Sequence, residues 1–135
     1  MKTRQNISSG SIWERRGGYS RAVRYGDQVF VSGTTASDAD GRVMGADAYE
    51  QTRYIFRKIE RALQEAGATL ADVVRTRVYV TDVALWEGPA RAHAEVFGEI
   101  LPANTLIGGI RMTDAAYLVE IEADAIIGAG ARQAD

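Results

Sequence analysis

Glu120, Glu122 and Asp124 stand at alternate positions between Leu118 and Ile126. In an extended chain, alternate side chains share one face and lie about 6–7 Å apart. The three carboxylates would therefore form one acidic row. Left open to water, such a row is only a solvated strand face. Covered, its members repel one another, and at least one keeps its proton above the ordinary range and becomes available for acid or base chemistry. His93 is the sole imidazole and, titrating near neutrality, the other candidate for proton transfer. The chain has no cysteine, which excludes disulfides, thiol nucleophiles and thiolate metal ligands. With a single histidine, a histidine metal cluster is not expected.

The acidic row needs a strand, and residues 117–127 predict one. Tyr117, Val119, Ile121, Ala123, Ala125 and Ile127 share the opposite, apolar parity. Residues 105–110 predict a second strand, entered through Leu101-Pro102-Ala103-Asn104, and the link over 111–116 would return the chain so that Asn104 lies near the far end of the acidic strand. Residues 1–10 read as a polar, frayed start or an edge extension. Residues 11–14 read as a short strand, and Arg15-Arg16-Gly17-Gly18 as a turn. Residues 19–24 and 28–32 predict a hairpin about Tyr25-Gly26-Asp27. A loop over 33–45 carries the turn signal Asp40-Gly41.

The clearest helix is predicted over 47–66, where Thr52, Ile55, Phe56, Ile59, Leu63 and Ala66 recur at helical spacing. Asp47 and Glu50 suit a capping box and Gly67 a C-terminal cap. Arg53, Arg57, Lys58, Glu60, Arg61 and Glu65 then face water. Residues 73–81 predict a strand, and 86–99 a second helix with Ala90, His93, Ala94 and Phe97 inward and Pro89 in its first turn. Residues 128–135 form a polar tail.

The order β-β-α-β-α-β-β describes an α+β fold: a mixed sheet of five or six strands with two helices on one face. Residues 1–135 are expected to form one domain, with a core over about 17–127. Apolar residues left on the other face predict self-association. The net charge of −2 gives no electrostatic footprint for nucleic acid or membrane. Neither a signal peptide nor a membrane span is apparent, so a soluble, cytoplasmic protein is expected.

Four stretches together resemble the Rid/YjgF family. They are Gly18-Tyr19-Ser20-Arg21-Ala22-Val23; Val29-Phe30-Val31-Ser32-Gly33; residues 72–82, Asp-Val-Val-Arg-Thr-Arg-Val-Tyr-Val-Thr-Asp; and Leu101-Pro102-Ala103-Asn104-Thr105 followed by Val119-Glu120-Ile121-Glu122-Ala123. The resemblance implies a homotrimer of chorismate-mutase-like fold, with sheets packed into a central barrel and ligand clefts between subunits. It also implies hydrolysis of a reactive imine or enamine such as 2-aminoacrylate to a 2-oxo acid and ammonia, without metal or organic cofactor. In that pattern an arginine holds the substrate carboxylate and a glutamate handles the attacking water. Carried over, the catalytic glutamate falls on Glu120, and the cleft tyrosine and serine on Tyr19 and Ser32.

The substrate-binding arginine falls on Asn104. An asparagine cannot offer a charged fork to a carboxylate. Leu106 and Gly108-Gly109 depart from the family pattern as well. Arg21 and Arg111 are candidates to restore the missing charge, and His93 borders the implied cleft. Glu122 is read as an interface or solvated carboxylate, and Trp13 and Trp86 as packing residues.

The leading expectation is a Rid-like hydrolase or deaminase for a small imine, enamine or related carbonyl metabolite, with activity on 2-aminoacrylate in doubt because of Asn104. The alternative is a non-catalytic metabolite-binding trimer, a sensor or carrier. An endoribonuclease or translation inhibitor is disfavoured by the acidic balance and the single histidine. The expected partners are a small-molecule ligand and further copies of the chain, with no nucleic acid and no membrane.

Overall fold

Period-two and period-3.6 patterns both become structure in the computed structural model, which describes residues 2–131. In chain order the elements are β1 (Arg4–Ile7), α1 (Ile12–Gly17), β2 (Ala22–Tyr25), β3 (Gln28–Thr35), α2 (Ala48–Glu65), β4 (Val73–Val80), α3 (Glu87–Phe97), β5 (Ala103–Ile107) and β6 (Val119–Ile126). Short 3₁₀ turns at Leu70–Asp72 and Val83–Leu85 join them. The strands form one mixed sheet in the order β1-β2-β3-β6-β4-β5. Only β4 and β5 run parallel, as the intervening α3 allows. Of the expected tail, residues 132–135 lie outside the described residues.

The core forms where the two periodicities meet. Val119, Ile121, Ala123 and Ala125 of β6 are buried together with Val78 and Val80 of β4 and Val29 and Val31 of β3. The stripe Thr52, Ile55, Phe56, Ile59, Leu63 and Ala66 is buried against them. Asp47 caps α2 by accepting from the Glu50 N–H at 2.8 Å, and Glu50 accepts in turn from the Ala46 N–H at 3.1 Å. Gly67 follows at φ 87°, which favours glycine. In α3 the buried residues are Pro89, Ala92 and Phe97, whereas Ala94, expected inward, is exposed.

Four expectations are corrected. Residues 11–14 open helix α1 and are not a strand, and Arg15-Arg16-Gly17 continues that helix where a turn was expected. Ser11 accepts from the Trp13 N–H, and Gly18 closes the helix at φ 71° with its N–H on the Glu14 carbonyl. These caps override a brief alternation. The polar start takes the edge-extension form, not the frayed one, with Arg4 opposite Tyr25 and Ile7 opposite Ala22.

β5 does not neighbour the acidic strand, because β4 lies between them. Thr76 is aligned with Asn104 on one side and with Ala123 on the other. Asn104 therefore lies level with the middle of β6, not its far end. Finally, the sheet face that the helices leave open is mixed, not uniformly apolar. The Val119 parity packs under the helices, so the open face carries Arg77, Tyr79, Glu120, Glu122 and Asp124, with Tyr25, Phe30, Ile107 and Ile126 as exposed apolar or aromatic members.

Candidate functional site

On that open face each carboxylate of the row meets a different environment. Asp124 pairs with Arg77 Nη1 at 3.1 Å, and the same nitrogen lies 3.5 Å from Glu122 Oε1. The Tyr79 hydroxyl donates to Glu122 Oε1 at 2.9 Å, which raises the phenol above its ordinary value. Two of the three acids are thus answered by β4. Glu120 is the one whose carboxyl is pushed up: burial is the main cause, Glu122 adds to it, and the Arg21 charge opposes it.

Glu120 is half-buried because of an irregularity in β3. The register between β3 and β6 shifts between Val31 and Thr34, a bulge that holds Ser32 and Gly33. A Cβ at Gly33 would lie 2.5 Å from Glu120 Oε1, so the bare backbone makes room for the carboxylate. Two cations hold the carbonyls around this point. Arg21 donates through Nη2 to the Gly33 carbonyl, and Lys58 donates through Nζ to the Thr35 carbonyl at 2.7 Å and to Ser37 Oγ at 3.2 Å. Burial, seconded by the Arg21 charge, brings the Lys58 ammonium down to about 8.

Ser32 belongs to this bulge. With Tyr19, Arg4, Arg15 and Ser20 it lines an open cavity of about 440 Å³. The Ser32 hydroxyl donates to the Ser20 carbonyl at 2.7 Å, and the Tyr19 ring is 45% exposed over the cavity.

Asn104 belongs to a different group. Its Nδ2 donates to Thr76 Oγ1 at 2.9 Å, and Thr76 Oγ1 is 2.8 Å from His93 Nε2. Thr76 is fully buried. His93 packs against the rings of Phe56 and Phe97, and burial lowers its pKa. Because Thr76 points to the helices, this group and Glu120 occupy opposite faces of the sheet. Within one chain, the sequence candidates fall into two groups: Glu120, Arg21 and Ser32 at the bulge, with Tyr19 on the adjoining cavity, and Asn104 with His93 on the other face. Arg111 joins neither; it is exposed on the segment between β5 and β6.

Sequence reasoning missed three residues. By pattern Gly33 is the first residue of a loop, Thr76 one side of a strand, and Lys58 a charge facing water. The signal for Lys58 was its place between Ile55 and Ile59, at the border of the apolar stripe. Among the described residues, no three or more acidic or histidine side chains are placed to hold a metal ion. No helix there is long and apolar enough to cross a membrane.

A mixed six-stranded sheet with helices on one face is an α+β fold shared with proteins of known structure. The sequence pattern of the Endoribonuclease L-PSP family matches residues 11–127. This protein belongs to that family, the YjgF/Rid proteins. An uncharacterized protein of Streptomyces coelicolor is 38% identical over 125 residues, 93% of each chain. A RutC family protein of Pyrococcus abyssi is 36% identical over 108 residues, covering 79% of this chain and 84% of that one. The crystal structure of a YjgF/YER057c/UK114 family member from Mycobacterium tuberculosis superposes with a TM-score of 0.85 at 49% identity, over 93% of this chain and all of that one.

Proposed function

We propose that the protein is a cofactor-free hydrolase of the Rid type. It acts on a small imine, enamine or related carbonyl metabolite in a cleft between subunits of a homotrimer, with Glu120 as the residue that handles water. The observation that supports this reading best is the environment of Glu120. It is a half-buried carboxyl, held above its ordinary pKa by burial, under a glycine bulge that leaves its oxygens room. Such a group exchanges a proton near neutrality more readily than a solvated glutamate. Ser32, next to the Gly33 that faces Glu120, lines with Tyr19 an adjoining cavity that would take the substrate. The placement of Asn104 on the opposite face supports an arrangement in which a second copy supplies that half of the site.

The test is the decay of enzymatically generated 2-aminoacrylate. Asn104 lacks the charge that a carboxylate wants, so the wild type is expected to act weakly and Asn104→Arg to accelerate the decay. Adding Glu120→Ala to Asn104→Arg is expected to remove the gain. If wild type and Asn104→Arg are both inert, the family's non-catalytic alternative, a metabolite-binding trimer, takes its place. RNA cleavage, suggested by the family's name, wants a basic groove. The net charge of −2 argues against it, and strong salt-sensitive RNA binding would reverse that judgement.

The pH profile follows with a definite sign. If Glu120 acts as a base, activity is lost as pH falls through its pKa, and that pKa is raised. The acid limb of kcat/KM is therefore expected above the ordinary glutamate value of about 4.3. Arg21 opposes the rise, so Arg21→Met is expected to move the limb to still higher pH. An acid limb at or below the ordinary value would remove Glu120 from the base role.

A further inference from the structure

The amide of Asn104 has a defined polarity, and polarity selects ligands. Its Nδ2 is directed to Thr76 Oγ1 at 2.9 Å. The Thr76 hydroxyl is fully buried and has one proton to give. The acceptor within reach is His93 Nε2 at 2.8 Å. His93 sits between Phe56 and Phe97, where burial disfavours the imidazolium, and in the neutral tautomer protonated on Nδ1 it accepts through Nε2. The three groups then form one directed chain: Asn104 N–H to Thr76, and Thr76 O–H to His93. This leaves Asn104 Oδ1 and a single N–H for anything that approaches exposed strand β5.

Turned over, the same amide would point two N–H groups outward and could accept a carboxylate. As held, it offers one N–H with an oxygen beside it, a pair that matches a carboxamide and sets the oxygen against a carboxylate's second oxygen. We infer that Asn104 selects a ligand carrying an uncharged hydrogen-bond donor at this position, of the carboxamide or ureide class, in place of a carboxylate. Thr76 and His93 are the positioning residues that fix the choice. The inference rests on the reading of Asn104 as part of the ligand site, and it gives that site a substrate class. A site arranged to bond a donor rejects an isostere that lacks it, because buried or shielded polar groups are then left unpaired.

The experiment compares two unreactive probes of nearly equal shape, 2-oxopropanamide and 2-oxopropanoate, by calorimetry on the intact protein at pH 7.5. The amide is expected to bind at least about tenfold more tightly. Thr76→Val removes the anchor, lets the amide rotate and is expected to bring the ratio towards one. Thr76→Ser, which keeps the hydroxyl, is expected to retain the preference. A merely structural role for Thr76 would weaken both probes alike and leave their ratio unchanged. Equal or tighter binding of the carboxylate, an unchanged ratio in Thr76→Val, or no binding of either probe overturns the inference. Turnover is not needed for this measurement. Failure of the Glu120 test with the amide preference intact therefore counts against the hydrolase alone, and Glu120-dependent turnover without the preference counts against this inference alone.

Discussion

Gly33→Ala is expected to remove Glu120-dependent turnover while leaving the protein folded. The added Cβ would meet Glu120 Oε1 at 2.5 Å and Cδ at 3.1 Å, distances at which something must move. Gly33 is not among the glycines at positive φ, so alanine is compatible with the backbone there. The atoms it meets are the end of a flexible side chain, which can swing away at a cost of about 1 kcal/mol. The fold therefore yields little and the carboxylate yields its position. A catalytic group displaced by about an ångström costs on the order of a hundredfold in rate.

The measurement is kcat for 2-aminoacrylate decay in the Asn104→Arg background, beside a thermal melt. Turnover should fall about a hundredfold or more, the range that a single acid–base group supplies, with the melting temperature nearly unchanged. Gly33→Ala combined with Glu120→Ala should be no worse than Glu120→Ala alone, because two changes that act through one group do not add. Full activity in Gly33→Ala would mean that the room beneath the bulge has no catalytic use. A collapse in melting temperature would place its importance in the sheet instead.

The elements that were legible are those whose patterns are local and strong. The alternation about Glu120 and the stripe from Thr52 to Ala66 each report one strand or one helix and the face it buries. Residues 11–14 misled because two apolar residues between polar ones fit a strand as well as a helix start. The deciding signals, Ser11 as N-cap and Gly18 in the left-handed conformation, lie at the ends. The insertion of β6 between β3 and β4 was not legible, since no pattern within a strand says which neighbour it pairs with. From that order follows the position of Asn104, whereas the polar character of much of the open face follows from the Val119 parity packing under the helices.

The candidate site was readable one residue at a time and unreadable as an arrangement. Glu120 stood out because alternating carboxylates are costly to cover. Its distinction from Glu122 and Asp124 depends on Arg77 and Tyr79 answering those two, a cross-strand fact. Lys58 looked like one charge among several on a solvated helix face, yet its stem lies along the helix border and its ammonium reaches the Thr35 carbonyl. Long basic side chains regularly travel that far to a polar partner, and sequence spacing does not record where they stop.

Asp72 carries a large expected stability effect for a single polar side chain. It ends the 3₁₀ turn before β4 and is 7% exposed. Its Oδ1 accepts from the Gly128 and Gly130 N–H groups, each at 3.1 Å, and its Oδ2 from the Thr69 N–H at 3.0 Å. One carboxylate thus fastens the entry of β4 to the chain leaving β6. Burial alone would raise its pKa, but the Gly130, Thr69 and Gly128 amides and the Thr69 hydroxyl outweigh burial and hold it below the ordinary value. Asp72→Ala leaves those donors without their acceptor and is expected to cost about 2–3 kcal/mol, which in a chain of this size lowers the melting temperature by roughly 10 °C.

Asp72→Asn, which keeps one acceptor oxygen and sets an NH₂ against donors, should fall between the two. Because the folded pKa is lower than the unfolded one, the unfolded chain binds the extra proton. The contribution of Asp72 is therefore complete above the unfolded value of about 3.9 and disappears as pH falls through the lower folded value. Urea midpoints of wild type and Asp72→Asn, taken from pH 7 to pH 3, should converge towards the acid end. A gap that stays constant across that range would show that the ionised carboxylate is not what holds the two segments together.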